Sequence, residues 1–241
     1  MDIKIFDSAQ ELDAFAADLI VSTVQNKPNP VLGLATGSTP LGIYAKIVEM
    51  HRRQNISFEH VTSFNLDEYV GLTPDNDQSY AYYMKSHLFA HIDIPFDRTF
   101  LPNGMAEDLV AECTRYDSML QEQPVDLQLL GLGHNGHIGF NEPAEALTGG
   151  THAVKLKQET REANARFFAS MEEVPELAIT MGVGSILKAN HILLVVRGAD
   201  KADIVKQALT GPITTDVPAS LLQTHPRVTV LLDREAGRKL A

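Results

Sequence analysis

The chain has one cysteine, Cys113, among its 241 residues. That excludes an internal disulfide and fits a reducing compartment. Cys113 falls on a helical stripe with Leu109, Tyr116 and Leu120, the setting of a buried free thiol. No run approaches the roughly 18 apolar residues that would span a bilayer. The opening Met1-Asp-Ile-Lys-Ile-Phe-Asp7 places acids where a signal peptide would be basic and then apolar. Together these absences predict a cytoplasmic protein. Basic residues are in deficit and form no run, and the formal net charge is −11. This balance argues against nucleic acid or an anionic membrane as partner. An anionic small molecule would need a local site working against the global field. There is no internal repeat, low-complexity tract or evident linker. With 44% hydrophobic and 21% charged residues the composition is that of an ordinary globular protein. One domain over residues 1–241 is the preferred reading.

What is present is an alternation of strands and helices. Strand-like segments occur at 3–6, 31–35, 61–66, 125–130, 177–180, 192–196 and 228–232. Helical patterns fall between them: one opening at Ser8, others reaching about Arg52, at 79–90 and 105–121, near 185–189 and at 200–209, and a short closing helix. The alternation predicts an α/β fold, a doubly wound, mainly parallel sheet with helices on both faces. In such sheets ligands sit beyond the carboxyl ends of the strands. Three motif-bearing loops fall at such ends.

The first is Thr36-Gly37-Ser38-Thr39-Pro40, which combines permissive backbone, hydroxyls and a proline suited to a helix start. A helix N-terminus there would cradle a phosphate. The loop is neither a Walker A motif nor a G-x-G-x-x-G fingerprint, and ordinary N-capping by Ser38 or Thr39 also accounts for it. The second is Phe64-Asn65-Leu66-Asp67-Glu68-Tyr69. Period-two alternation puts Asn65 and Asp67 on one strand face, so Asp67 is aimed at the ligand crevice and Glu68 elsewhere. A partly desolvated carboxylate there could take a proton from carbon; taken singly, it also reads as a solvated loop acid.

The third is Gly131-Leu-Gly-His-Asn-Gly-His-Ile-Gly-Phe-Asn-Glu-Pro143, in which Gly131, Gly133, Gly136 and Gly139 let the backbone take positive φ and approach a ligand. His137 and Glu142 pair an imidazole, with an ordinary pKa of about 6.5, with a carboxylate, a combination suited to proton shuttling. A strand-to-helix turn with a solvated histidine is the alternative. His134 and His137 have His-x-x-His spacing but no evident third ligand, which disfavours a metal. Arg161, Arg166 and Lys201 are further cations that could complete an anion site.

Taken together, Ala35-Thr-Gly-Ser-Thr-Pro40, Phe64-Asn-Leu-Asp-Glu-Tyr-Val-Gly71, Gly131 through Pro143, Thr160 through Phe168 and Met181-Gly-Val-Gly184 closely resemble the glucosamine-6-phosphate deaminases, also called glucosamine-6-phosphate isomerases. The resemblance runs in order over essentially the whole chain. It implies conversion of glucosamine 6-phosphate and water to fructose 6-phosphate and ammonia, in amino-sugar catabolism, without a metal or organic cofactor. His137 would then open the sugar ring, Glu142 would hold and polarise His137, and Asp67 would carry the C2 proton to C1. Gly37, Ser38, Thr39, Arg166 and Lys201 would hold the phosphate. Many relatives have aspartate where this chain has Asn135; the asparagine brings no charge but can still accept a hydrogen bond from the substrate or the imidazole, so Asn135 stays among the implied catalytic residues and Glu142 becomes the sole carboxylate partner of His137. The segment around 155–174 resembles the family's mobile lid. The chain lacks the C-terminal segment of the longer, hexameric, allosteric members, which points to a monomer or small homo-oligomer. A 6-phosphogluconolactonase of the same architecture would not need the base at Asp67. A galactosamine-6-phosphate deaminase would differ at only a few pocket residues. A sugar-phosphate-sensing regulator would carry a DNA-binding segment and could dispense with Asp67, His137 and Glu142.

Overall fold

Ser8 lies two residues past the first strand and starts the first helix, its hydroxyl accepting the amide of Glu11 at 3.2 Å. The structure, a computed structural model, describes residues 1–54, 56–165, 168 and 170–240. Among them the chain runs β1 (Asp2–Phe6), α1 (Ala9–Gln25), β2 (Val31–Leu34), α2 (Leu41–Arg52), β3 (Thr62–Asn65), β4 (Asp67–Tyr69) and α3 (Tyr80–His87). It continues through β5 (Thr99–Phe100), α4 (Leu109–Glu122), β6 (Leu127–Leu130), β7 (His152–Lys155) and α5 (Gln158–Asn164). The last elements are β8 (Leu177–Thr180), α6 (Val183–Ile186), β9 (Ile192–Val196), α7 (Ala202–Thr210), β10 (Val228–Asp233) and α8 (Arg234–Gly237).

Seven strands form one sheet in the order β1-β10-β9-β6-β2-β3-β5, with every neighbouring pair parallel. All residues of β6 and β9 are buried. Successive strand residues point to opposite faces, so continuous burial means that both faces are covered. The apolar side chains of these strands meet Leu12, Ala16 and Ile20 of α1, Ile43 and Ile47 of α2 and Val205 and Ala208 of α7 in one core. Packing at the sheet's middle is tight. A Cβ on Gly33 of β2 would fall 2.0 Å from the Gln128 side chain on neighbouring β6, so that position has room for glycine alone.

A second sheet departs from the expected fold: β4, β8 and β7 form a three-stranded antiparallel unit. It exists because the chain leaves β3 at Leu66 and immediately pairs Asp67 with Thr180. Helix bounds differ as well. The helix expected from Met105 begins at Leu109, because the Asp108 side chain accepts the amides of Val110 and Ala111 at 2.9 and 3.0 Å. The pattern at 79–90 divides into α3 and a 3-10 turn, and α7 is preceded by a 3-10 turn over Ala199–Lys201. Cys113 is buried on α4, as expected, and burial pushes its thiol pKa up. Among the described residues no helix is long and apolar enough to cross a membrane.

Candidate active site

From β2 the chain moves outward to β3 and β5, then returns to lay β6 on the opposite side of β2. The carboxyl ends of β2 and β6 therefore flank a topological switch point, where loops diverge and leave a crevice. A cleft of about 600 Å³ opens there. It is lined by residues 35–39 after β2, Asp67 of β4, residues 131–135, 137, 139 and 140 after β6, Thr160 of α5, and Arg197 and Lys201 after β9. The three loops singled out in the sequence converge on this one space.

Gly37 takes φ +87°, and its carbonyl accepts the Tyr83 hydroxyl at 2.6 Å. Pro40 is the N-cap of α2, and no side chain caps the helix. Ser38 and Thr39 therefore do not play the capping role that was their alternative; both line the cleft beside a positive helix end.

Asp67 lies between the two sheets and is only 7% exposed. Among the described residues nothing hydrogen-bonds its carboxylate. Burial, and then the charge of neighbouring Glu68, raises its pKa to about 8. Glu68 turns to the N-terminus of α3, where it accepts the amides of Tyr80 and Ala81 at 2.9 and 2.8 Å as well as that of Tyr69 at 2.8 Å. This fastening fixes the strand on which Asp67 stands and places Tyr80 in the cleft wall. The far wall comes close: a Cβ on Gly139 would lie 3.6 Å from Asp67 Oδ2 and 2.9 Å from Thr180 Oγ1. With φ +57°, Gly139 is held there by conformation as well as by space.

His137 does not bond Glu142 directly, as the sequence led us to expect; its Nδ1 is 3.7 Å from Glu142 Oε2. Asn135 stands between them, with Oδ1 2.7 Å from His137 Nδ1 and Nδ2 donating to Glu142 Oε2 at 2.6 Å. The carboxamide fits because it carries an acceptor and a donor side by side. An ionised carboxylate only accepts, so the amide nitrogen must face Glu142 and the amide oxygen must face the ring. The backbone N–H of His137 donates to the same oxygen at 3.2 Å, which agrees with that orientation. Nδ1 therefore carries hydrogen, and Nε2 is the free proton acceptor. The other Glu142 oxygen accepts the Thr160 hydroxyl. Burial pushes the Glu142 pKa up, but the nearby imidazole of His137 and the hydrogen bonds from Thr160 and Asn135 outweigh it and bring the pKa to about 2.

The glycines of this loop differ in purpose. Gly136 and Gly139 have positive φ, whereas Gly131 and Gly133 do not. Gly133 is needed for space instead: a Cβ there would lie 2.2 Å from the Cε1 of His137. The imidazole lies flat on bare backbone.

Lys201 reaches across to donate to the Leu132 carbonyl at 2.8 Å and lines the cleft near the Gly37 loop. Arg166 lies outside the described residues. Arg197, Tyr80 and Thr160 were not picked out from sequence. Arg197 is paired with Asp13 of α1 and directly follows β9, so its strand-end position was the available signal. His134 pairs at the rim with Asp200 at 2.7 Å, while His137 turns to Asn135, so the His-x-x-His spacing does not converge on one point. Among the described residues no three His, Cys, Asp or Glu side chains gather as metal ligands.

Residues 6–231 match the family model described as glucosamine-6-phosphate isomerases/6-phosphogluconolactonase. A glucosamine-6-phosphate deaminase of a Geobacillus species is 52% identical over 237 residues, covering 97% of this chain and 94% of its own. The one from Bacillus velezensis is 54% identical over 229 residues, with 95% of each chain covered. Among solved structures, a monomeric glucosamine-6-phosphate deaminase superposes with a TM-score of 0.97 at 47% identity, over 99% of this chain and 100% of that one. A 6-phosphogluconolactonase from Trypanosoma brucei shares the fold, with a TM-score of 0.79 at 21% identity, covering 100% of this chain and 98% of its own. On these matches the chain is a member of the glucosamine-6-phosphate isomerase/6-phosphogluconolactonase family.

Proposed function

We propose that this protein is a glucosamine-6-phosphate deaminase, converting glucosamine 6-phosphate and water into fructose 6-phosphate and ammonia. The observation that carries the reading is the presence, in one cleft, of a desolvated carboxylate at Asp67 and an oriented imidazole at His137. Hydrolysis of a lactone requires no base at carbon. Aldose–ketose isomerisation requires one, and also needs a second group to open the ring.

His137 Nε2 takes the proton of the anomeric hydroxyl and returns it to the ring oxygen, giving the open chain. Glu142, ionised at neutral pH, stabilises the imidazolium through Asn135. Asp67 removes the proton from C2, forming an enolamine, and delivers it to C1. The resulting ketimine takes up water and releases ammonia, leaving the ketone of fructose 6-phosphate. The raised pKa of Asp67 suits this work, because a carboxylate of ordinary strength would be a weak base toward carbon. The cationic amine of the bound sugar favours the ionised carboxylate on arrival. Gly37, Ser38 and Thr39 at the N-terminus of α2, with Lys201 and Arg166, hold the phosphate. Such remote contacts orient the reacting carbons and can be worth several kcal/mol. In this reading one domain spans 1–241, residues 155–174 form its lid, and the protein works as a monomer or small homo-oligomer in the cytoplasm, in amino-sugar catabolism. The reaction draws on no metal or organic cofactor.

The test is ammonia release from purified protein given glucosamine 6-phosphate, with galactosamine 6-phosphate in parallel. Ammonia and fructose 6-phosphate from the first sugar are expected. Release from the second sugar alone would keep the chemistry but change the substrate, and release from neither would reject the reading.

A further inference from the structure

The Thr160 hydroxyl belongs to α5, to which the reaction scheme above gives no part in the proton transfers. The hydroxyl is buried, and it donates to the Glu142 oxygen that Asn135 does not use. Two other contacts fasten the same stretch over the site. Lys157, at the N-cap of α5, donates from Nζ to the carbonyl of Pro143, the residue after Glu142, at 2.7 Å. Phe168 packs edge-on against Tyr69, two residues from Asp67, with ring centroids 5.9 Å apart. Arg161 ties α5 to the end of the segment by donating to the carbonyls of Met171 and Val174 at 3.3 and 2.8 Å.

We propose that Thr160 is a positioning residue for His137, holding Glu142 so that Asn135 presents its oxygen to the imidazole. The proposal rests on the function proposed above. Its physical basis is the division of donors on one carboxylate. Glu142 has one oxygen for the cover and one for the relay. With the cover seated, both oxygens are satisfied and the carboxylate cannot swing toward the ring. Without the Thr160 hydroxyl, Oε1 loses its donor, and a buried carboxylate short of donors seeks the nearest alternative, the imidazole 3.7 Å away. That would draw Nδ1 off Asn135 and turn Nε2 from the sugar.

Thr160→Val keeps the shape and removes the donor, while Thr160→Ser keeps the donor. The expected result is a loss of about tenfold or more in kcat for the valine variant, with fructose 6-phosphate binding within about threefold of wild type and near-normal kcat in the serine variant. An NMR titration of His137 in the unliganded proteins supplies a readout that does not depend on turnover. In Thr160→Val the imidazole should titrate at higher pH than in wild type, because a less neutralised Glu142 attracts its cation more strongly. An unmoved titration in the valine variant would overturn the proposal. So would a serine variant whose kcat falls about tenfold or more below wild type, a result that decides the matter even if the valine protein does not fold. A wild-type protein inactive on glucosamine 6-phosphate would reject the functional reading instead, and the titration would still decide whether Thr160 governs His137.

Discussion

Asn135 joins His137 to Glu142, 2.7 Å from the ring nitrogen on one side and 2.6 Å from the carboxylate on the other. A neutral amide thereby transmits an ionic pairing and fixes the tautomer at the same time. Asn135→Leu should leave Nδ1–H without an acceptor and Glu142 with one donor fewer. We expect kcat to fall about 10²-fold. Stability should drop by about 1–3 kcal/mol, the cost of stranding a buried polar group, as read from denaturant unfolding.

Gly133→Ala tests the bare backbone beneath the imidazole. The new Cβ would overlap the ring, which Asn135 holds in place, so the imidazole must turn away. The account predicts about a 10²-fold loss of kcat with the melting point within about 4 °C of wild type, equivalent to roughly 1 kcal/mol. A fully active alanine variant would mean that the ring does not work from this position.

Asp67 and Glu142 shift in opposite directions, and so do their effects on stability. Asp67 has a folded pKa of about 8, above its unfolded value near 4, so the folded state binds the extra proton. Its contribution is full below about pH 4 and is lost as pH rises toward about 8. Asp67→Asn should therefore gain in melting temperature relative to wild type as pH is raised through that window, although it loses turnover. Glu142, at about 2, contributes above its unfolded value and loses that contribution as pH falls toward about 2. Glu142→Gln should be less stable than wild type at neutral pH, and the gap should close in acid. Thermal melts across pH check both slopes.

The same titration governs activity. A base at Asp67 must be ionised in the productive complex, so kcat/KM should rise with pH toward about 8 as the free enzyme loses that proton. The kcat limb should lie lower, since the substrate's ammonium favours the carboxylate. A pH–rate profile that is flat from about pH 6 to about pH 8 would contradict the assignment.

How far the sequence could be read follows from how local each signal was. Strand alternation and glycine-bearing strand ends are short-range, so the parallel sheet and the three converging loops could be read in advance. The antiparallel sheet could not, because Asp67 finds Thr180 across nearly half the chain and β4 is only three residues long. Asp67 and His137 were marked by residue type and strand-end position. Thr160, Tyr80 and Arg197 look like ordinary helix and loop residues until tertiary packing brings them to the cleft. The direct His137–Glu142 contact was expected because an imidazole and a carboxylate attract; that the Asn135 amide could accept from the imidazole was legible, but nothing local revealed that it would also donate to Glu142 and come between them. Asp108 is a different case: its capping signal was in the sequence, yet the helical pattern was carried back past it to Met105.

The fate of the C2 hydrogen bears most directly on the central claim. Glucosamine 6-phosphate deuterated at C2 should lose its label to C1 of fructose 6-phosphate and to solvent with the wild-type protein. With Asp67→Asn the label should stay at C2 in unreacted sugar, while binding of a substrate analogue remains within about tenfold. Loss of the C2 label at the wild-type rate in that variant would contradict the account, because some group other than Asp67 would then be taking the proton.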